Sequence, residues 1–168
     1  MVQKVLEFVR ERRPERKPDD LNEVVRSAMT MARKTLGDLP ADVEAELAPG
    51  LPPVSLNRAE VEQALIHLIR NAAESGRGEA VQVMVRTGTN GDRVLVAIED
   101  SGLGVPIEVR DRIFDPFFTT RREKGGTGLG LSLAHSIVTD HGGTIDLESE
   151  PGRGSTFWIE LPAAAGTG

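Results

Sequence analysis

The 168-residue sequence has no cysteine, no tyrosine and only one tryptophan. Without cysteine, the chain has no disulfide bond, no thiol nucleophile and no thiolate metal site, which agrees with a reducing compartment. It also lacks the run of about 18 apolar residues that spans a membrane, and no signal-peptide core follows Met1. We therefore expect a soluble, cytoplasmic module without membrane contact, which could still belong to a membrane-anchored protein.

The sequence has no excess of positive charge and no metal-binding histidine pattern. The formal net charge is -6, so we do not expect a nucleic-acid-binding surface, which needs clustered lysine and arginine. His67, His135 and His141 do not have the spacing of zinc ligands. If the protein binds a metal ion, magnesium is therefore favoured over zinc.

Apolar periodicity predicts three helices and several strands. Asp20 and Asn57 each precede a helical pattern and have a Glu three positions later, which is typical of a helix N-cap. The expected buried positions are Leu21, Val24, Val25, Ala28, Met31 and Ala32 in the first helix, and Val61, Ala64, Leu65, Leu68, Ile69 and Ala72 in the second. A third helix ends near Asp140, where His141 is expected to cap it.

Alternating apolar residues predict the strands. Residues 80 to 99 read as a β-hairpin around Asn90-Gly91, and residues 144 to 149 and 155 to 161 as two further strands. We expect one domain over residues 19 to 162. Residues 1 to 18, which are basic and contain two prolines, are interpreted as a helix end with a linker, and residues 163 to 168 as a disordered tail.

A glycine-rich stretch runs directly into the third helix over residues 124 to 138. Glycines allow consecutive backbone N–H groups to face one concavity, and a helix N-terminus adds partial positive charge, so this stretch suits a polyphosphate. The alternative is a flexible linker before a surface helix.

Two more places carry candidate binding residues. Asp100 ends a predicted strand and leads into the turn Gly102-Leu-Gly104, where a carboxylate can accept a hydrogen bond from an exocyclic amine such as that of adenine. The alternative is an Asx turn that closes the strand. His67 and Asn71 lie one turn apart beside the apolar face of the second helix, where they could equally form a cap or a core hydrogen bond.

Residues 102 to 126 have the composition of a lid. Phe114, Phe117 and Phe118 would dock it, while basic side chains face phosphate. The basic candidates are Arg121, Arg122 and Lys124. The alternative is a solvated charged loop that packs through its aromatic residues and needs no ligand.

Taken together, these stretches resemble the four sequence boxes of the histidine-kinase catalytic domain, a member of the ATPase superfamily that includes gyrase and Hsp90. Residues 67 to 73 resemble the N box, 100 to 104 the first glycine box, 114 to 120 the F box and 126 to 131 the second glycine box. The resemblance covers about residues 20 to 161. It implies an α+β fold, a two-layer α/β sandwich (the Bergerat ATP-binding fold) in which helices cover one face of a mixed, mostly antiparallel sheet, with a mobile ATP lid.

The resemblance also implies roles for individual residues. Asn71 would bind the Mg²⁺ that bridges the phosphates, Asp100 would accept from the adenine amine, and Thr156 would lie behind the adenine near Asp100. The nucleotide pocket would be flanked by Gly102, Gly104 and Val105, and the phosphates would be held by the backbone of Gly126, Thr127, Gly128, Leu129, Gly130 and Leu131.

Two positions depart from the family pattern. His67 stands where the hydrolysing relatives have a Glu that activates water, so we hypothesise that His67 suppresses idle hydrolysis or helps to orient the acceptor. Ser75 stands where several kinases have a basic residue for the phosphates. The phosphate charge would then fall to one of the lid cations Arg121, Arg122 or Lys124.

The function implied is transfer of the γ-phosphoryl group of Mg-ATP to a histidine on a separate dimerisation domain of the same kinase, from which a response regulator receives it. Family acceptor histidines precede Glu or Asp, but Leu68, Ser136 and Gly142 follow the three histidines here. We therefore expect the acceptor outside this chain and a monomer in isolation. The alternative is a nucleotide-binding regulator of the same fold, such as an anti-sigma serine kinase or a pseudokinase. A gyrase- or chaperone-type ATPase would require Glu at position 67.

Overall fold

The computed structural model describes residues 15–115 and 130–164. A five-stranded mixed sheet is covered on one face by helices, which confirms the predicted α+β sandwich. A small two-stranded sheet lies beside it. No helix within the described ranges is long and apolar enough to cross a bilayer.

The three helices begin and end close to their predicted bounds. They are α1 (Leu21–Leu36), α2 (Arg58–Glu74) and α3 (Gly130–Asp140). The side chain of Asp20 accepts from the Asn22 N–H at 2.9 Å and that of Asn57 from the Glu60 N–H at 3.0 Å, so both expected N-caps are confirmed.

The predicted buried face of α2 is confirmed, whereas that of α1 is wrong at one position. All six α2 residues expected in the core are at most 5% exposed. On α1, Met31 is 46% exposed and Met29, at 4%, is buried instead. The face that α1 buries is therefore rotated slightly from the predicted one.

The strands of the main sheet follow the order β2-β4-β5-β7-β6. They are β2 (Ala41–Glu46), β4 (Val81–Asn90), β5 (Arg93–Asp100), β6 (Thr144–Glu150) and β7 (Gly154–Pro162). The β2–β4 pair is parallel and the other neighbours are antiparallel. Asn90 pairs with Arg93 across the turn at Gly91, which confirms the predicted hairpin.

Alternation along β5 decides which of its side chains face the helices. Val94, Val96 and Ile98 are at most 1% exposed, and Asp100 continues the same row at 3%. The strand therefore delivers a carboxylate to the helix-covered face at its last position.

Short segments near both ends of the described ranges pair with the fold, although they fall in the regions predicted as linker and tail. Strand β1 (Lys17–Asp19) pairs antiparallel with β3 (Val54–Leu56). Ala163 donates to the Asp92 carbonyl and Ala164 to the Pro53 carbonyl, at 2.9 and 2.8 Å. Backbone pairing of this kind cannot be read from composition.

The buried His141 joins α3 to α2. Its Nδ1 lies 2.7 Å from the Ile137 carbonyl, and its Nε2 accepts from the Asn57 N–H at 3.1 Å. The first contact requires a donor and the second an acceptor, which assigns the neutral Nδ1–H tautomer. The residue therefore has a structural role at the end of α3, as predicted.

Asn22 forms a buried polar network that joins α1 to the sheet. Its Nδ2 donates to the Ala48 carbonyl, and its Oδ1 accepts from the Thr87 hydroxyl, both at 2.8 Å. Thr87 Oγ1 in turn accepts from the Ala48 N–H at 2.9 Å. The Asn22 side chain thus provides hydrogen-bond partners for the Ala48 carbonyl and the Thr87 hydroxyl, which lie far apart in the sequence.

Asn22→Ala is expected to lower the free energy of unfolding by about 1–3 kcal/mol, because it removes the partners of the Ala48 carbonyl and the Thr87 hydroxyl. Thermal or urea unfolding measures the effect. Thr30→Ala is the control, since its hydroxyl bonds only within α1 at an exposed position, and it should stay within about 0.5 kcal/mol. Equal losses in both variants would contradict the network's role.

Candidate functional site

The site centres on Asp100, which is held by three parts of the chain. Its carboxylate accepts from the Gly102 N–H at 2.9 Å and from the Ser75 hydroxyl at 3.0 Å. The backbone of Ser155, which pairs with Asp100 across β5 and β7, provides a further hydrogen bond. The end of α2, the turn after β5 and the start of β7 therefore meet at this carboxylate.

Burial raises the pKa of Asp100 above its ordinary value. Loss of hydration is the main cause, and the nearby charge of Glu99 adds to it. The hydrogen bonds from Gly102, Ser75 and Ser155 act in the opposite direction, because they stabilise the carboxylate. A carboxylate in this position gains more from an incoming N–H donor than an exposed one would, since water no longer competes for it.

Ser75, predicted among the nucleotide-site residues at a phosphate-type position, lies at the carboxylate instead. Its Oγ is 2.6 Å from the Ala72 carbonyl and 3.0 Å from Asp100. The residue is the C-cap of α2. It therefore belongs to the same hydrogen-bonded group as Asp100.

Gly102 and Gly104 are required by close packing of the turn. A Cβ atom at Gly102 would overlap with the side chain and backbone of Ser75, and one at Gly104 would overlap with the Glu150 carbonyl. Gly104 also has a φ of +78°, in the left-handed region. Both glycines are predicted to flank the nucleotide pocket, and the structure adds a packing reason within the protein itself.

The residue opposite Asp100 on β7 is Ser155 rather than Thr156, which was expected near Asp100. Asp100 pairs with Ser155, while Thr156 pairs with Glu99. Because side chains alternate along a strand, Thr156 faces the outer side of the sheet with Glu99, and the buried Ser155 shares the inner face with Asp100. The hydroxyl beside Asp100 on β7 is therefore that of Ser155, which a count of buried positions back from Phe157 would have found.

His67 on α2 lies close to Gly130, the first residue of α3. A Cβ atom at Gly130 would lie 3.2 Å from His67 Nδ1, so the N box and the end of the second glycine box are in contact. Burial lowers the pKa of His67, and the charge of Arg70 lowers it further. His67 is thus a neutral imidazole at pH 7. Asn71 is partly buried one turn further along α2, and Leu131 packs against the core.

Several predicted residues lie outside the described ranges. They are Arg121, Arg122, Lys124, Gly126, Thr127, Gly128 and Leu129, together with Phe117 and Phe118. Phe114 is described, and its ring packs against His135 and Phe157 with centroid separations of 5.1 and 6.1 Å. The beginning of the F box is therefore anchored on α3 and β7, as expected for Phe114.

A groove of about 820 Å³ extends along the sheet and reaches the surroundings of Asp100. Its lining includes the site residues Asp100 and Ser155 and the acidic residues Asp42, Glu44, Glu99, Glu148 and Glu150. The groove therefore borders the candidate site, and much of its wall is acidic.

The family model described as Histidine kinase-, DNA gyrase B-, and HSP90-like ATPase matches residues 57–165. The chain belongs to this family. Membership confirms the resemblance seen in the four boxes and makes ATP the ligand of the fold. The matched range contains Asp100, His67 and Asn71, together with both glycine boxes.

Two curated relatives of this chain are a sensor protein and a sensor histidine kinase. The alginate biosynthesis sensor protein KinB of Pseudomonas aeruginosa is 41% identical over 120 residues, covering 71% of this chain and 20% of KinB. Sensor histidine kinase ZraS of Klebsiella oxytoca is 36% identical over 163 residues, covering 96% of this chain and 35% of ZraS. The chain therefore spans only about a fifth to a third of these two relatives.

Solved structures of the family agree with the fold. The catalytic domain of histidine kinase ThkA matches with a TM-score of 0.77 at 33% identity, covering 89% of this chain and 96% of that chain. ThkA in complex with the response regulator protein TrrA matches with a TM-score of 0.75 at 31% identity, covering 97% of this chain and 46% of that chain.

Asp100→Asn is expected to leave the chain without nucleotide at least as stable as the wild type at pH 7. The amide can still accept from Gly102, and no charge has to be desolvated. The folded-state pKa of Asp100 lies above its ordinary value of 3.8, so ionisation costs folding free energy at neutral pH, and this cost disappears below the unfolded-state pKa. The advantage of the variant should therefore grow as pH rises.

Melting temperatures of both forms, measured from about pH 4 to about pH 8, test this expectation. Asp146→Asn, on the outer side of β6, is the matched control and should show no such divergence. A variant at position 100 that melts below the wild type at neutral pH would show that the charge stabilises the fold.

Proposed function

We propose that this chain is the catalytic domain of a sensor histidine kinase, which binds Mg-ATP and transfers its γ-phosphoryl group to a histidine on a separate dimerisation and phosphoacceptor domain. The observation that carries the proposal is the buried Asp100 carboxylate at the end of β5. It lies on the same side of the sheet as α2, which bears His67 and Asn71. Asp100 provides a hydrogen-bond acceptor for adenine, and His67 and Asn71 mark the candidate phosphate-binding end on the same side of the sheet.

The residues present fit adenine. An exocyclic amine donates a hydrogen bond, and Asp100 is a buried acceptor that already receives donors from Gly102 and Ser75. Ser155 contributes a second hydroxyl-bearing residue on the same face. Asp100 would therefore select adenine over guanine, which presents a carbonyl oxygen at the corresponding position.

The phosphates would be held by the backbone of residues 126 to 131 at the start of α3, with lid cations from Arg121 or Lys124. Asn71 is the candidate magnesium ligand, since an amide oxygen is a suitable hard donor. When bound, Mg²⁺ would neutralise charge on the β- and γ-phosphates. The neutral His67, one turn from Asn71 on α2 and close to Gly130, would orient the acceptor or keep water from attack.

The transfer breaks the bond between the γ-phosphorus and the β,γ-bridging oxygen and forms a phosphorus–nitrogen bond to the acceptor imidazole. ADP leaves with the electron pair of the broken bond. The acceptor nitrogen supplies its lone pair to phosphorus, and the proton on the other ring nitrogen passes to solvent or a base. The chain's contribution is to position the nucleotide and stabilise charge, which is the main requirement of phosphoryl transfer.

A response regulator is the proposed recipient of the phosphoryl group from the acceptor histidine. Support comes from ThkA, which forms a complex with the response regulator protein TrrA. The rival proposal, an anti-sigma serine kinase or a pseudokinase of the same fold, has less support because the relatives matched along most of this chain are sensor kinases.

Calorimetric titration with ADP, with and without Mg²⁺, tests the nucleotide site. We expect magnesium-dependent binding by the wild type and at least about tenfold weaker binding by Asp100→Asn, because the variant loses a charge-assisted hydrogen bond. Asp146→Asn should bind like the wild type. An unchanged affinity in Asp100→Asn would contradict the adenine assignment.

Labelling with γ-phosphate-labelled ATP tests the transfer. In the presence of the kinase's own phosphoacceptor domain, we expect label on that domain in an acid-labile, alkali-stable form, as phosphohistidine gives. Acid-stable label on a serine of a protein partner would instead support the serine-kinase alternative. Binding without any transfer would support the pseudokinase.

His67→Glu is expected to increase ATP hydrolysis in the absence of an acceptor, because a carboxylate at this position could activate water as in the hydrolysing relatives. Release of inorganic phosphate measures it. His67→Ala provides the comparison, and unchanged hydrolysis and unchanged transfer in that variant would contradict both roles proposed for His67.

A further inference from the structure

The backbone that follows the Asp100 turn is fixed on two sides. The Leu103 N–H donates to the Ser75 carbonyl at 3.2 Å, and the Leu103 carbonyl accepts from the Gly152 N–H at 2.8 Å. The first bond ties the turn to the end of α2, and the second ties it to the connection between β6 and β7. Leu103 is therefore held between the two layers of the fold.

Val105 is held in a similar way, but by side chains. Its N–H donates to Ser149 Oγ at 2.7 Å, and its carbonyl accepts from Arg110 Nε at 3.3 Å. Arg110 Nη2 also donates to the Ser149 carbonyl, which closes a ring of three residues. We call this ring the Arg110–Ser149 clamp.

The clamp is connected to the surroundings of Asp100. Ser149 Oγ lies 2.9 Å from Ser155 Oγ and 3.1 Å from the Gly154 carbonyl. Ser155 is the residue that pairs with Asp100 and hydrogen-bonds to it. The same hairpin therefore supports the carboxylate and anchors the segment that leaves it.

The geometry of Arg110 argues against a role as a phosphate ligand. Two of its three guanidinium nitrogens donate to the carbonyl groups of Val105 and Ser149, and its side chain is partly buried. Arg110 lies on the short 3₁₀ turn Ile107–Arg112, directly after the segment that it holds. The planar guanidinium group bridges the two carbonyl groups and fixes their relative position. A lysine ammonium group would do this less well, because it lacks the rigid fork.

We propose that Arg110 and Ser149 are positioning residues for adenine. They keep residues 103 to 105 docked on β6 and β7, so that the wall beside Asp100 is already formed when the nucleotide arrives. This inference rests on the proposed function, because it assumes that adenine binds at Asp100. Without the clamp, only a fraction of molecules would have the wall in place, and the apparent affinity would fall by that fraction.

Four variants test the clamp. Arg110→Gln removes the fork, Arg110→Lys keeps the charge without the fork, Ser149→Ala removes the hydroxyl and Ser149→Thr keeps it. Arg153→Gln is the matched control, since this exposed arginine lies on the same β6–β7 connection and pairs only at 3.5 Å with Glu150. Affinities for ADP and adenosine are measured by competition, and exchange of the Val105 amide hydrogen is measured without nucleotide.

We expect Arg110→Gln, Arg110→Lys and Ser149→Ala to weaken the binding of ADP and of adenosine by the same factor, about tenfold. The affinities of Ser149→Thr and Arg153→Gln should remain within about twofold of the wild type. Val105 exchange should accelerate in Ser149→Ala and stay slow in Ser149→Thr. Equal losses for both ligands place the effect at the adenine end, and melting temperatures close to that of the wild type would exclude a general loss of stability as the cause.

Two results would overturn the proposal. One is a loss for ADP without a loss for adenosine, which would make Arg110 a phosphate ligand. The other is faster Val105 exchange with unchanged affinities. If the wild type bound no adenine nucleotide, the proposed function would fail and the positioning role with it, but the exchange data would still show whether the clamp exists.

Discussion

Burial of the Asp100 carboxylate costs hydration, and the hydrogen bonds that offset this cost come from three separate parts of the chain. Ser75 ends α2, Gly102 follows β5 and Ser155 begins β7. Gly102 donates within its own turn, Ser155 requires the pairing of β5 with β7, and Ser75 requires the helix layer to pack on the sheet. The candidate site is therefore a product of the complete fold. These contacts give Gly102, Ser75 and Ser155 a structural reason to surround Asp100. The sequence motif alone indicates only a nucleotide-binding loop.

The second constraint is the antiparallel arrangement of α2 and α3, which are joined at both ends. His67 of α2 contacts Gly130 at the start of α3, while His141 just after α3 accepts from Asn57 just before α2. One contact lies at the candidate phosphate end and the other beside β1. The two helices thus form one connected layer, and the neutral imidazoles at its two ends have different tasks. His67 faces the candidate site, whereas both ring nitrogens of His141 are used within the fold.

Local patterns predicted most of this fold, because caps, helical faces and alternating strands depend on nearby residues. The N-caps Asp20 and Asn57 and the buried face of α2 are of this kind. The register across β5 and β7 depends instead on distant pairing, so the sequence could not show that Ser155, rather than Thr156, lies opposite Asp100. Arg110 and Ser149 belong to no local motif, and their contacts become visible only when the 3₁₀ turn and β6 are seen together. The phosphate-binding role of residues 121 to 129 stays a prediction, because these residues lie outside the described ranges.

The two outer strands of the sheet, β2 and β6, also bear on how the domain behaves among copies of itself. An edge strand exposes backbone groups that can recruit a strand from another molecule. Here β2 carries Asp42, Glu44 and Glu46, β6 carries Asp146, Glu148 and Glu150, and Arg33 from α1 donates to the Val43 carbonyl. Two such edges brought together would set rows of carboxylates against each other. The acidic residues of β2 and β6 thus protect the sheet from edge-to-edge aggregation. The helix-covered face, which carries the candidate site, does not have to provide this protection.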